Sequence, residues 1–229
     1  MQIKGFLETS FVDWTGKICS VVFTPGCNFR CPFCHNHELV LEPHRFETVP
    51  EEHVLDRLNT FRGWIDGVCI TGGEPTLQPG LKDFMRRLKK IGVEVKLDSN
   101  GARPEVLAKL AEEGLVDYVA MDVKGPLNHI DYSRASGVPI QLDAVLQSIA
   151  FLKRGLVAYE FRTTVVPGLH GEREISAMAD YLDGSSLWRL QDYNPQNALD
   201  ESLRSCEPYS SDQMKRFVQI AGEKVPVIH

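Results

Sequence analysis

Short β-branched runs alternate along the chain with longer segments whose apolar residues recur at helical spacing. Residues 18–23, 67–71, 93–97, 117–123, 157–166 and 187–193 read as strands. Between them lie helical stretches. Residues 50–62 carry Val54, Leu55, Leu58 and Phe61 on one face. Residues 79–91 carry Leu81, Phe84, Met85, Leu88 and Ile91, with Gly92 as a stop. A further helix starts at Pro104 and ends at Gly114, following the usual asymmetry of proline first and glycine last. Leu142, Val145, Leu146, Ile149 and Leu152 mark the next, ending at Gly155. Ile175, Met178, Ala179 and Leu182 mark another, and Met214, Phe217, Val218 and Ala221 the last.

The pattern predicts six successive βα units with no internal repeat and no linker that would split the chain. Such alternation gives an α/β fold with a parallel sheet and helices outside it. Six units are too few for a closed eight-stranded barrel, so an open partial barrel and a flat doubly wound sheet are the two candidates. One domain over residues 1–229 is expected, with an irregular and helical C-terminal segment at 195–229. Two irregular stretches, 125–140 and 195–210, follow the fourth and sixth strands and are candidates for docking a partner.

Composition narrows the function classes. The net charge of −6 argues against nucleic acid as the main partner, because phosphate binding needs a basic face. No apolar run reaches the ~18 residues of a bilayer span, and the N-terminus lacks a signal-type apolar stretch. A cytoplasmic protein is expected. There its six cysteines would be reduced, and a tight group of them reads as a metal site.

Parallel βα folds place chemistry at the C-terminal ends of their strands. Every strand expected here delivers polar or metal-binding groups to that rim. Cys27, Cys31 and Cys34 follow the first strand, Gly72, Gly73 and Glu74 the second, and Asp98, Ser99 and Asn100 the third. Asp122 and Lys124 end the fourth, Arg162 lies in the fifth, and Gln191 to Asn194 end the sixth. Polarity unrelated to a site would scatter between both rims.

The stretch Cys27-Asn-Phe-Arg-Cys31-Pro-Phe-Cys34 has the spacing C-x3-C-x2-C. Thiolates suit iron–sulfur clusters, zinc or copper(I). Three on one loop can each take one iron of a cubane, leaving the fourth iron open for a ligand. The alternatives are a structural zinc site completed by His35, His37, Cys19 or Cys69, and three unrelated reduced cysteines. Cys19 and Cys69 sit in apolar strands and read as buried small hydrophobes. Cys206 is isolated and reads as non-ligating. The remaining histidines show no spacing that indicates chemistry, and solvated or packing roles are expected for them.

The cysteine spacing, with Phe33 before the third cysteine, resembles the signature of the radical S-adenosylmethionine (SAM) superfamily. Thr71-Gly72-Gly73-Glu74-Pro75, at the end of the next strand, is similar to that superfamily's second motif. The resemblance implies a partial (β/α)6 parallel barrel with the cluster loop at 26–36, a [4Fe–4S] cluster on Cys27, Cys31 and Cys34, and SAM on the open iron. Reductive cleavage of SAM would then yield methionine and a 5′-deoxyadenosyl radical.

The same resemblance implies contacts. Gly72, Gly73 and Glu74 would receive the SAM ammonium. Phe33 would wall the cluster, and backbone from Phe33 to His35 would lie near the adenine. Asp98-Ser99-Asn100-Gly101 resembles the Asp-Thr-Asn-Gly stretch of glycyl-radical-enzyme activases, and Asp122-Val123-Lys124 their Asp-x-Lys. In that family these touch the methionine and ribose ends of SAM, sometimes with a monovalent cation between carboxylates. Read without the family, these stretches are a turn and a surface ion pair. Arg162 resembles the arginine before a Val-Val-Pro-Gly stretch; without the family, it reads as a buried ion-pair partner.

The segments 11–17 and 23–36 most resemble the longer type of anaerobic ribonucleoside-triphosphate reductase activating protein. That family's implied partners are a glycyl radical enzyme, here an anaerobic ribonucleotide reductase, and flavodoxin or ferredoxin as electron donor. Tyr193-Asn194 stands where pyruvate formate-lyase activases carry Tyr-His, which argues against that activase proper. Another protein, an RNA or a small molecule as substrate, and a zinc-stapled binding protein without redox chemistry, are the competing readings.

Overall fold

A computed structural model describes residues 1–229. Eight strands form one sheet in strictly sequential order: β1 (Gly5–Ser10), β2 (Cys19–Thr24), β3 (Gly67–Gly72), β4 (Glu94–Ser99), β5 (Tyr118–Asp122), β6 (Ala158–Val165), β7 (Trp188–Asp192) and β8 (Val227–Ile228). From β2 to β8 each neighbour is parallel; β1 is antiparallel to β2. A doubly wound sheet reverses its strand order at a switch point. The unbroken order excludes that candidate and gives the wall of a partial barrel, which stays open because β1 and β8 do not pair.

The six expected βα units are all present, with ends shifted by a few residues. The helices are α1 (His37–Leu41), α2 (Glu51–Thr60), α3 (Leu81–Lys90), α4 (Pro104–Glu112), α5 (His129–Ser136), α6 (Leu142–Lys153), α7 (Glu172–Leu182) and α8 (Ser211–Gly222). The apolar stripes read from sequence are the buried ones: Leu81, Phe84, Met85 and Leu88 on α3, and Ile175, Met178, Ala179 and Leu182 on α7. They pack on the outward-facing strand residues, among them Val68, Ile70, Val95, Leu97, Val119 and Phe161. Each such burial contributes roughly 1.5–3 kcal/mol.

The inner face of the barrel is different. At its lower end Trp14, Cys19, Val21 and Cys69 form a small apolar plug. Above the plug the interior turns polar, with Lys96, Asp98 and Glu160 all buried. Two-residue alternation forces this division: Val95 and Leu97 face the helices, so Lys96 and Asp98 face inward. No helix is long and apolar enough to cross a membrane.

Four elements escape the sequence pattern. They are β1, β8, the short α1, and α5, which lies inside a stretch expected to be irregular. Asn128 caps α5 by accepting from the Ile130 and Asp131 amides, and Gly137 closes it with φ +72°.

Candidate active site

A cleft with about 970 Å³ of open space occupies the upper rim of the barrel. The residues expected to hold the cluster or SAM line it: Cys27, Cys31, Phe33, Cys34 and His35 from the loop after β2; Gly72, Gly73 and Glu74 after β3; Asp98, Ser99 and Asn100 at the end of β4; Asp122 and Lys124 at β5; and Arg162 on β6; of the rim stretch after the sixth expected strand, Asp192, Tyr193 and Asn194 do not. Phe29, Asn36, Val40, Thr71, Thr164 and Gln191 complete the wall. Thr164 went unnoticed in the sequence although it sits two residues beyond Arg162 on the same face of β6.

The cysteine loop is held from three sides. The Glu74 amide donates to the Gly26 carbonyl at 2.8 Å, with Gly73 directly above it. On one flank the Arg30 amide donates to Ser136 of α5 at 2.8 Å. On the other, the segment after β7 bends back over the loop. The Asp200 amide donates to the Pro32 carbonyl at 2.8 Å, Asn197 Nδ2 donates to the His35 carbonyl at 2.9 Å, and His35 Nε2 meets the Asn194 carbonyl at 2.5 Å. His37 also finds a partner there, Asn197 Oδ1, at 3.3 Å. The two irregular stretches expected to dock a partner therefore grip the cysteine loop.

All three thiols are free. Burial pushes Cys27 up to about 11, Cys31 up to about 12, and Cys34 upward as well. Thiols so placed become thiolates only when a metal supplies positive charge. No three His, Cys, Asp or Glu side chains converge as they must around a single ion. Thiolates of a cubane bind separate irons and need no such convergence, so the loop fits a cluster. Cys19 and Cys69 are fully buried below the cleft and do not complete a set. Asn100 Nδ2 points toward Cys27 Sγ at 3.7 Å and bonds Asn28 Oδ1 at 2.8 Å, and the Phe29 amide donates to Cys27 Sγ at 3.3 Å.

Glu74 has several partners within the chain. Its carboxylate is buried and already accepts from the Thr76 amide and hydroxyl, the Ser99 hydroxyl and the Asn100 amide, at 2.6–3.1 Å. Burial raises its pKa, and these donors pull the other way. The side chain stitches the end of β3 to the end of β4. The Gly73 carbonyl, by contrast, accepts no hydrogen bond within the chain.

A ladder of charges rises from the barrel interior into the cleft. Lys96 Nζ donates to Asp98 Oδ1 at 2.6 Å, and Arg162 Nη1 to Asp98 Oδ2 at 3.1 Å. Arg162 Nε donates to Asp122 Oδ1 at 3.0 Å, and Lys124 Nζ to Asp122 Oδ2 at 2.9 Å. Burial opposes ionisation of both carboxyls, but the neighbouring cations outweigh it. Asp98 is held below its usual range and Asp122 at about 2. Asp122 and Lys124 are thus no solvated surface pair. The Arg162 guanidinium lies between the two carboxylates, and all four carboxylate oxygens are engaged. Lys124 Nζ also stands 5.9 Å from the centre of the Phe33 ring.

His170, read as solvated or packing, is buried behind the ladder. Its Nδ1 accepts from the Val166 amide at 3.0 Å, and Nε2 faces the Lys124 carbonyl at 2.9 Å. With Nδ1 accepting, Nε2 carries the proton.

The model of the radical SAM superfamily matches residues 21–182, most of the chain and the whole of this cleft up to β6. The chain belongs to the radical SAM superfamily. A Methanocaldococcus jannaschii protein, whose name assigns it provisionally to the glycyl-radical enzyme activating enzymes, is 33% identical over 227 residues, covering 97% of this chain and 92% of its own. The pyruvate formate-lyase 1-activating enzyme of Escherichia coli K12 is 30% identical, covering 73% of this chain and 68% of its own. Among solved structures, Streptococcus suis SuiB shares the fold at a TM-score of 0.67 and 13% identity, covering 91% of this chain; the chain spans 48% of SuiB. As a radical SAM enzyme the protein uses a [4Fe–4S] cluster and SAM, and it resembles the glycyl-radical-enzyme activases.

Proposed function

We propose that this radical SAM enzyme is a glycyl-radical-enzyme activase acting on an anaerobic ribonucleoside-triphosphate reductase. What carries the reading is one juxtaposition: the three thiols after β2 and the charged ladder of β4, β5 and β6 face each other across one cleft. Cys27, Cys31 and Cys34 would hold the cluster. When bound there, it would supply the electron that breaks the C5′–S bond of SAM, and the nucleoside radical would take a hydrogen atom from a glycine Cα of the reductase.

The chain's own residues would bind and orient. The unengaged Gly73 carbonyl is placed to accept from the SAM ammonium, with Gly72 keeping the backbone close and Glu74 fixing the turn. Lys124 and Arg162 would face the SAM carboxylate. Asp98 and Asp122 would hold those cations and offer lone pairs to the ribose. Ser99 and Asn100 would position Glu74 and the cysteine loop. Phe33 would give an apolar wall, and backbone at His35 would approach the adenine. Arg162 itself would stand in for a monovalent cation. An external flavodoxin or ferredoxin in the cytoplasm would deliver the electron.

The match to the M. jannaschii protein, which runs over nearly the full length of both chains, supports the activase class. One observation favours the reductase over pyruvate formate-lyase as target. At the position where pyruvate formate-lyase activases carry His, the Asn194 side chain accepts from the Gln196 amide and caps a short turn, so it makes no wall of the cleft.

The test is anaerobic incubation of reduced, cluster-loaded protein with SAM and the cognate reductase. A glycyl radical doublet by electron paramagnetic resonance (EPR) is expected with the reductase and none with pyruvate formate-lyase. Formation of 5′-deoxyadenosine without a doublet on the reductase would overturn the target. Deuterium transfer from candidate substrates into 5′-deoxyadenosine would then identify the donor. Cys31→Ser should abolish both products.

A further inference from the structure

We propose that Lys96, a residue outside the cleft, is a positioning residue for SAM: it fixes the orientation of the cations that meet the cofactor's carboxylate. The inference rests on the reading that this cleft binds SAM. Lys96 lies on the inner face of β4, 2% exposed, and does not line the cleft. Its ammonium has two partners, Asp98 Oδ1 at 2.6 Å and the Cys69 thiol at 3.7 Å. A lysine so deep in a barrel is costly unless its charge is used.

The use follows from the order of the ladder: Lys96, Asp98, Arg162, Asp122, Lys124. Each carboxylate oxygen has one cationic partner, and each link leaves the next only one free side. With Lys96 on Oδ1 of Asp98, Arg162 meets Asp98 through Oδ2 alone. Arg162 is thereby denied a two-point grip on Asp98, the geometry a guanidinium favours, and its Nε turns to Asp122. Asp122 is shared in turn, so Lys124 is held by a carboxylate that is already half neutralised.

Removing Lys96 would let Arg162 close on both oxygens of Asp98 and release Asp122. That carboxylate would then bind Lys124 alone and compete with SAM for it. The ladder would also fall from a net charge of +1, three cations against two carboxylates, to zero. Both changes weaken the hold on an incoming carboxylate. They act through Asp98, not through any contact of Lys96 with the cofactor.

The experiment titrates SAM into the reduced, cluster-loaded protein and follows the shift in the cluster's EPR signal. For Lys96→Met the Kd should rise about tenfold, equivalent to about 1.4 kcal/mol, with cluster content unchanged. Lys96→Arg should restore affinity to within about twofold, because its guanidinium can still engage Asp98. In an Asp98→Asn background, Lys96→Met should add little, as expected for residues acting in series. Lys96→Gln, which keeps a donor without the charge, serves if the methionine variant folds poorly, and it should also bind SAM more weakly. Wild-type affinity in the charge-lacking variants overturns the inference. So does an equal loss in the Asp98→Asn background. Failure of the wild-type protein to bind SAM would instead overturn the reading of the cleft, and this inference with it.

Discussion

A methyl group added at Gly73 would lie 1.8 Å from the Gly26 carbonyl oxygen. The turn after β3 and the start of the cysteine loop therefore touch backbone to backbone, and neither neighbour is a flexible side chain that could yield. Gly73→Ala should push the loop away and spread the thiols. We expect iron and sulfide content after anaerobic reconstitution to fall to a small fraction of wild type, with a stability loss of about 1–3 kcal/mol. Metal analysis and denaturant unfolding check both.

Asn100 directs its amide at Cys27 Sγ and at Asn28. Donors to a ligating sulfur favour the reduced, more negative cluster. Asn100→Ala should make the cluster's reduction potential more negative while leaving iron content close to wild type. Redox titration followed by EPR reads the shift. An unchanged potential would show that Asn100 acts only on the loop.

His170 should govern acid sensitivity. Burial lowers its pKa from an ordinary 6.5 to about 4, with the Lys124 carbonyl opposing. A histidine held neutral in the native state stabilises fully above about pH 6.5, and that contribution is lost as pH falls toward 4. The loss amounts to about 3 kcal/mol at the acid end. His170→Gln should be less stable than wild type at pH 7, and should lose less stability between pH 7 and pH 5. Denaturant midpoints at the two pH values give the comparison.

Asn197 spans the carbonyl of His35 and the ring of His37. Asn197→Ala should cost about 1 kcal/mol in global stability and speed the release of iron to a chelator several-fold. A release rate equal to wild type would mean that the segment after β7 only rests on the loop.

Much of this was legible in the sequence, for definite reasons. The six βα units show because one face of every helix and the outer face of every strand meet the same core, which imposes strong apolar periodicity. The strand β1 lacks that signal: Leu7 is exposed and Glu8 pairs with Arg57 of α2, so no apolar alternation marks it. The short α5 hid because its amphipathic stripe is weak, yet Asn128 and Gly137 were readable as its two caps. The site residues were legible because strand ends converge. Their partners were not. Spacing alone cannot show that the Glu74 carboxylate turns to Thr76, Ser99 and Asn100, or that Arg162 falls between Asp98 and Asp122. Lys96 was visible as a charge two residues before Asp98 in an apolar run, and the alternation rule places both on one face.

The grip of residues 194–200 on the cysteine loop spans 159 and 162 positions at His35. During synthesis, then, the thiols are made early but their enclosure comes late. Until the segment near residue 200 has left the ribosome, the loop lacks one of its three supports, and iron delivered sooner would meet an unfinished, solvent-open seat. A seat with all three supports in place therefore exists only once the chain is nearly complete.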